Sequence, residues 1–503
     1  MFALFLAALV PIAPLTPSDV LANVRKALTV SSATAAWPET VLSGSAEFRG
    51  VTHGYRLQFR RDGEFCQSMD GKLSQTLGCD GKSFWQIDSS GATRHLAFED
   101  VDRVETVLLL LTDRWLDPNA PVDCSASASG PSAGTFTLHL ILRVSGLDET
   151  VQVDSKTWLP KSAEFEIASS KTTIALSDWR PAGSVRVPFL AKVTDTGLTD
   201  TYRVDTARSV REGSASTYSM PDLSPADISY DTAISPSIET KRAQSGHILV
   251  HPRIDGKDVG WFILDSGADS MVIDQAKADS LGLPKLGKES VVGVGGVVVE
   301  PFRTSSTFTL GPATMKNVTF IEFDLHQLSD IFKVPLAGIV GFDFFRRFIV
   351  EVDLKKPAIG VHDVRDFHLD RGDWSAMEFS SGNPAVLATF EGDHKAWFRL
   401  DTGANGTVTF HAPAVQQMHL LTGKETTPAG MAGVGGTSEA RLGKLAWFEL
   451  GGHRFENVTA VFSLAKVGAF ADRYLTGNIG QDLMEPFTMV FDFGGSRVAF
   501  VPH

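Results

Sequence analysis

Between residues 47 and 95 apolar and polar side chains alternate. The alternation breaks at Arg61-Asp62-Gly63, Asp70-Gly71, Asp80-Gly81 and Ser89-Ser90-Gly91. A period of two between turn residues predicts an antiparallel meander. Upstream, Thr16-Pro17-Ser18-Asp19 reads as an N-cap, a proline in the first turn and an acidic start, which predicts a helix to about Leu28. Residues 100–115, with their run of leucines, predict a second helix, and residues 134–207 return to the strand pattern. Residues 16–210 are thus expected to form one α+β domain with a large curved sheet. Residues 211–240, rich in Ser, Pro, Asp and Thr without a period, read as a linker. The opening run MFALFLAALV is too short to span a bilayer and suits the apolar region of an export signal over residues 1–15, although the usual basic residues are missing from it. No other apolar run reaches the length of a membrane span.

The second half repeats itself. WFILDSGADS, Trp261 to Ser270, returns as WFRLDTGANG from Trp397, so that Asp401 follows Asp265 by 136 residues. Gly293-Val294-Gly295-Gly296 returns as Gly433-Val434-Gly435-Gly436, and Asn317-Val318-Thr319 as Asn457-Val458-Thr459. Ile339-Val340-Gly341-Phe342-Asp343 returns as Asn478-Ile479-Gly480-Gln481-Asp482, and Phe348 and Asp353 as Phe487 and Asp492. A near-constant offset over a hundred residues marks a duplicated domain, divided here into residues 241–366 and 367–503. The two N-x-T sequons recur inside the repeat and so give no sign of glycosylation.

These motifs, in this order and twice in register, resemble the aspartic protease family in its retropepsin-like branch. The resemblance covers about residues 240–503. It implies a mainly β, bilobal aspartic-protease barrel fold with pseudo-twofold symmetry, in which retroviral enzymes use two subunits and pepsin two lobes of one chain. It also implies that Asp265 and Asp401 are the catalytic pair. Two carboxylates about 3 Å apart cannot both ionise and share one proton. One then takes a proton from water while the other polarises the scissile carbonyl. By the same carry-over Gly267 and Gly403 donate backbone N–H groups to the pair, and the hydroxyls of Ser266 and Thr402 lock the two loops together. The glycine hairpins Gly293-Val294-Gly295-Gly296 and Gly433-Val434-Gly435-Gly436 serve as flaps over the substrate. Asp269 matches the aspartate that holds substrate main chain; Asn405 stands in its place in the second copy. The arginine that follows the turn glycine in retroviral enzymes is replaced by Phe342 and Gln481, leaving Arg346 or Arg347 to support Asp269.

A second resemblance lies upstream. VQVDSKTWLPKSAEFE from Val151 and SDWRPAGSVRVPFLAKV from Ser177 are similar to the closing strands of the bacterial lipoprotein-carrier and localisation-factor fold, a half-open barrel with helices over its concave face. That family binds acyl chains or envelope proteins, which implies a lipid or lipoprotein partner for residues 16–210.

Charge narrows the partners further. Asp and Glu number 59 against 46 Lys and Arg, a net −13, which argues against nucleic acid. Cys66, Cys79 and Cys124 form no C-x-x-C and no zinc spacing. Two arrangements are open: Cys66 joined to Cys79 across neighbouring strands, or three unpaired buried thiols. Asp80-Gly81-Lys82-Ser83 mimics the end of a P-loop without its first glycine, and neither G-x-S-x-G nor H-E-x-x-H occurs. No cofactor or metal is expected. The chain reads as an exported, periplasmic or envelope endopeptidase, monomeric, cutting polypeptides. The rival reading is a non-catalytic envelope protein whose lobes clamp a peptide or lipoprotein, but a decayed site should have lost one of its acids, and both stand in full motifs.

Overall fold

The computed structural model describes residues 15–30, 39–60, 62–112, 114–117, 119–127, 132, 134–167, 170–183, 185–210, 217–433 and 436–503. The opening apolar run, Arg61 of the first turn signal, residues 211–216 of the linker and Val434 and Gly435 of the second flap lie outside them.

Residues 39–210 fold into a thirteen-stranded antiparallel sheet, a half-barrel in which the first long strand, Glu39–Phe48, pairs with the last, Leu198–Val210. Strands such as Thr135–Leu142 bury every second residue, as their alternation requires. Two helices complete the core. Helix α1, Pro17–Leu28, starts in a capping box between Thr16 and Asp19 and buries Val20, Val24 and Leu28, one face at a spacing of four. Helix α2, Glu99–Thr112, contributes Leu108, Leu109, Leu110 and Leu111 to the same core. It is followed by a short 3-10 turn, Arg114–Leu116, which ends the predicted helix early. Cys66 faces Gly78 and Phe65 faces Cys79 across adjacent strands. The two thiols are therefore one place out of register, leave opposite faces of the sheet, and stay free, as does Cys124.

The C-terminal part is two lobes built on one plan. In each, the strand that carries the repeated motif (Trp261–Leu264; His394–Leu400) runs parallel to a later one (Leu336–Val340; Gly477–Ile479). A long glycine-tipped hairpin follows in each: Lys285–Gly293 with Gly296–Leu310, and Thr427–Gly433 with Gly436–Leu450. A six-stranded sheet joins the lobes, with Ile349–Asp353 of the first paired to Phe487–Asp492 of the second. One contiguous core runs through both lobes and includes Phe344, Phe345, Phe398, Phe410, Phe491 and Phe493.

The segment read as a linker does not hang free from residue 217 onward. Tyr218 is buried, and its carbonyl accepts from Trp85 Nε1 in the half-barrel at 2.8 Å. Ile228–Tyr230 adds a strand to the first lobe, and Ser237–Ile238 adds one to the sheet between lobes. The apolar residues Ile228, Tyr230 and Ile238, too few to show a period, are what fasten it.

The half-barrel touches both lobes. Helix α2 meets the second lobe, where Ser380 Oγ donates to Glu99 Oε1 at 2.6 Å and Tyr474 OH to Asp102 Oδ2 at 2.7 Å. The hairpin turn Arg49-Gly50, both residues at positive φ, reaches the first lobe. There Arg49 pairs with Glu289 at 2.7 Å, and its carbonyl accepts from Lys288 N at 2.9 Å.

Candidate active site

The two motif strands end side by side. Asp265 N donates to Val340 O and Asp401 N to Ile479 O, both at 3.0 Å, so each loop is hung from the neighbouring parallel strand in the same way. Ser266 and Thr402 are buried and bond reciprocally. Ser266 N donates to Thr402 Oγ1 at 2.9 Å and Thr402 N to Ser266 Oγ at 3.1 Å. The hydroxyls then donate onward, Ser266 Oγ to Leu400 O at 2.9 Å and Thr402 Oγ1 to Leu264 O at 3.1 Å. Four bonds across the pseudo-twofold axis fix the separation of the loops, and every polar atom of the lock is satisfied.

The glycines bring the carboxylates together. Gly267 N donates to Asp265 Oδ1 at 2.8 Å and Gly403 N to Asp401 Oδ1 at 3.0 Å. A Cβ on Gly267 would fall 2.5 Å from Asp401 Cγ, and one on Gly403 would overlap the Asp265 carboxylate. Each loop thus lies against the acid of the other, and no larger residue fits. Burial, then the Asp401 charge, pushes the Asp265 carboxyl well above the usual carboxylate range. Burial also raises Asp401, against the opposing pull of Arg399, Gly403 N, His247 and Asn478. A pair of this kind keeps a proton at pH values where isolated carboxyls have lost theirs.

The flap glycines also meet. Gly296 and Gly436, at matching positions of the two hairpins, both take a positive φ, +135° and +129°. A Cβ on Gly433 would strike Val294 Cγ2 at 2.5 Å, and one on Gly436 would lie 3.6 Å from Gly295 Cα. Gly293, whose N-terminal neighbours form the first flap strand, is packed with Val294 against Gly468 of the second lobe.

Asp269 is exposed at the cleft, with Arg399 of the second lobe and Arg49 of the half-barrel as its nearby cations. Arg346 and Arg347, expected to support it, are turned elsewhere. Arg346 donates to Thr93 O and to Phe493 O at 3.3 Å, and Arg347 pairs with Asp227 at 2.7 Å. Both are buried and tie the half-barrel and the connecting segment to the first lobe. Gln481, where the retroviral arginine would stand, donates from Nε2 to Thr402 O at 2.6 Å.

Several residues at the site were not read from the sequence. His247 Nε2 donates to Gly403 O at 2.8 Å, Asn478 Nδ2 donates to Asp401 Oδ2 at 3.1 Å, and His411 Nε2 meets Asn478 Oδ1 at 2.9 Å. Arg399 and Asn478 did leave a signal: they are among the places where the second copy departs from the first, which has Ile263 and Ile339 there.

A family model described as aspartyl protease matches residues 250–344 and again 386–483. Among solved structures, a LolA superfamily protein from Nitrosomonas europaea is similar at 9% identity, covering 41% of this chain and 98% of its own, with a TM-score of 0.30. A retropepsin-like aspartic protease from Rickettsia conorii is similar at 17% identity, covering 26% of this chain and 96% of its own, with a TM-score of 0.20. No curated protein matches the chain. The two matched stretches are the two copies of the repeat, so the C-terminal part of this chain is similar to the aspartyl protease family twice over in one polypeptide.

Proposed function

We propose that the protein is an aspartic endopeptidase that hydrolyses peptide bonds with a water activated between Asp265 and Asp401. The observation that carries this reading is the reciprocal lock of Ser266 and Thr402, which holds each glycine against the opposite carboxylate. One carboxylate is ionised and takes a proton from the water. The water oxygen attacks the scissile carbonyl carbon as the carbonyl oxygen takes the proton of the other acid. Proton transfer to the leaving nitrogen then breaks the C–N bond. The glycine hairpins 293–296 and 433–436 would present backbone N–H groups to the substrate chain and exclude bulk water, and Asp269 would hold substrate main chain at the cleft edge. Both lobes belong to one chain, so a monomer has a complete site. The export and envelope reading rests on the apolar run Met1–Val10.

The test is to incubate the full chain with a peptide library between about pH 3 and pH 8, with and without an aspartic-protease inhibitor. Inhibitor-sensitive cleavage that disappears in both Asp265→Asn and Asp401→Asn supports the reading. Binding of peptides without cleavage at any pH would replace it with the clamp.

A further inference from the structure

The two lobes repeat each other in backbone, yet they surround their acids with different chemistry. Behind Asp265, Ile263 and Ile339 face each other in register and belong to an aliphatic and aromatic cluster with Leu249, Val272, Phe332 and Leu336. Ala268, the residue three after Asp265, packs on the same cluster. Behind Asp401 the same two strand positions carry Arg399 and Asn478, again in register. There the buried side chains form a polar chain. Asn478 Nδ2 donates to Asp401 Oδ2 at 3.1 Å, which leaves Asn478 Oδ1 to accept from His411 Nε2 at 2.9 Å. His411 is fully buried, and its Nδ1 lies 3.6 Å from Asp472 Oδ2. Asp472 is in turn held by the backbone N–H groups of Tyr474 at 2.8 Å and Leu475 at 3.3 Å.

We infer that Asn478, oriented by His411, makes Asp401 the ionised member of the pair and leaves the shared proton on Asp265. An amide N–H can donate only to an acceptor, and a carboxylate is the better acceptor than a carboxylic acid. Only Asp401 has such a side-chain donor among the described contacts; the matching position beside Asp265 is Ile339, which has nothing to donate. An apolar wall behind a carboxyl favours its neutral form. Of the charges nearby, Arg399 on the strand of Asp401 draws on both acids, while His247, whose charged form burial disfavours, reaches over from the first lobe toward Asp401; Asp265 is the acid that faces it. Arg399 and Asp472 are the charged groups around His411, and burial disfavours its charged form; the bond to Asn478 Oδ1 requires the imidazole proton on Nε2. Asn478 and His411 are positioning residues. They act through Asp401.

The inference builds on the dyad of the proposed function: Asp401 would take the water's proton and Asp265 would give its own to the carbonyl oxygen. It is tested without any substrate, by carboxyl carbon NMR titration of the full chain labelled at aspartate Cγ, with Asp265→Asn and Asp401→Asn to assign the signals. The expected result is that the lower of the two pair midpoints belongs to Asp401. In Asn478→Ile, which copies the first lobe, that midpoint should rise by about one pH unit, a tenfold change in proton affinity. His411→Leu should move it the same way by less, and His411→Gln, which keeps a donor for Asn478 Oδ1, should restore it. A lower midpoint on Asp265, or an Asp401 midpoint that stays put in folded Asn478→Ile, would overturn the inference. Should Asn478→Ile fail to fold, the His411 pair decides. Absence of proteolysis in the library experiment would remove the enzyme reading while leaving this titration to stand or fall by itself.

Discussion

At the scale of single residues, the acids and their immediate partners carry the most direct expectations. Asp265→Asn and Asp401→Asn should each lower kcat at least a thousandfold, in the range of about 10³–10⁶, because each acid has its own part in one step. Circular dichroism should show both folded, so an active variant of either kind would break the pairing. The residue after each motif glycine is Ala268 or Ala404, neither of which can donate to a carboxylate. With burial raising both acids, Asp265 to about 8, the pH–rate bell should centre nearer neutral than for ordinary carboxyls, at roughly pH 6. Replacing Ala268 and Ala404 together by Thr adds two donors, favours the ionised forms and should slide the bell toward acid; a shift upward would refute this account. Glu149 offers a separate check in the half-barrel. It is fully buried, neither of its carboxylate oxygens has a hydrogen-bond partner, and burial raises its carboxyl well above the ordinary value. Its folded-state pKa lies above the unfolded one, so it holds stability in acid that is lost as pH rises. Glu149→Gln should therefore raise the melting temperature at about pH 8 and change little in acid, measured by calorimetry.

At the scale of elements, the contact of helix α2 with the second lobe is pH-sensitive by the same logic. Burial, then the charges of Asp100 and Asp472, lifts the Glu99 carboxyl to about 7. Ser380 Oγ already donates to Oε1, while Oε2 is buried without a partner. The stability this group contributes is present below the unfolded pKa and fades as pH rises through about 7. Thermal unfolding between about pH 6 and pH 8.5 should show that loss in the native chain and a flatter profile in Glu99→Gln. Removing one hydroxyl of the interlobe lock, as in Thr402→Val, strands two buried partners and should destabilise by about 2–4 kcal/mol. Most of these elements were legible beforehand. Alternation and glycine turns gave the half-barrel strands, Thr16 and Asp19 the start of α1, and the doubled motif the two lobes. Legibility failed where a contact is made once between distant parts. No local pattern announces that Arg49, in a two-residue turn, reaches Glu289, or that Arg346 seeks Thr93 O. Asn478 was visible only as a difference between two copies whose agreement drew the attention.

At the scale of the whole molecule, one chain should hold one complete site, so activity per mole should not change on dilution; a loss that tracks a dimer in sedimentation would contradict this. A chain cut at residue 241 loses the strands Ile228–Tyr230 and Ser237–Ile238 and uncovers the faces they occupy. It should unfold at a lower denaturant concentration than one spanning 217–503. Fusion of the lobes has a consequence for how a substrate is read. Two identical subunits make a cleft that looks the same from either end, and any substitution near one acid appears beside the other as well. With Ile339 on one side and Asn478 on the other, the cleft has a head and a tail. A peptide laid in one direction brings its amino-terminal portion to the half with the polar chain; turned around, it meets the aliphatic half first. The two placements are no longer equivalent.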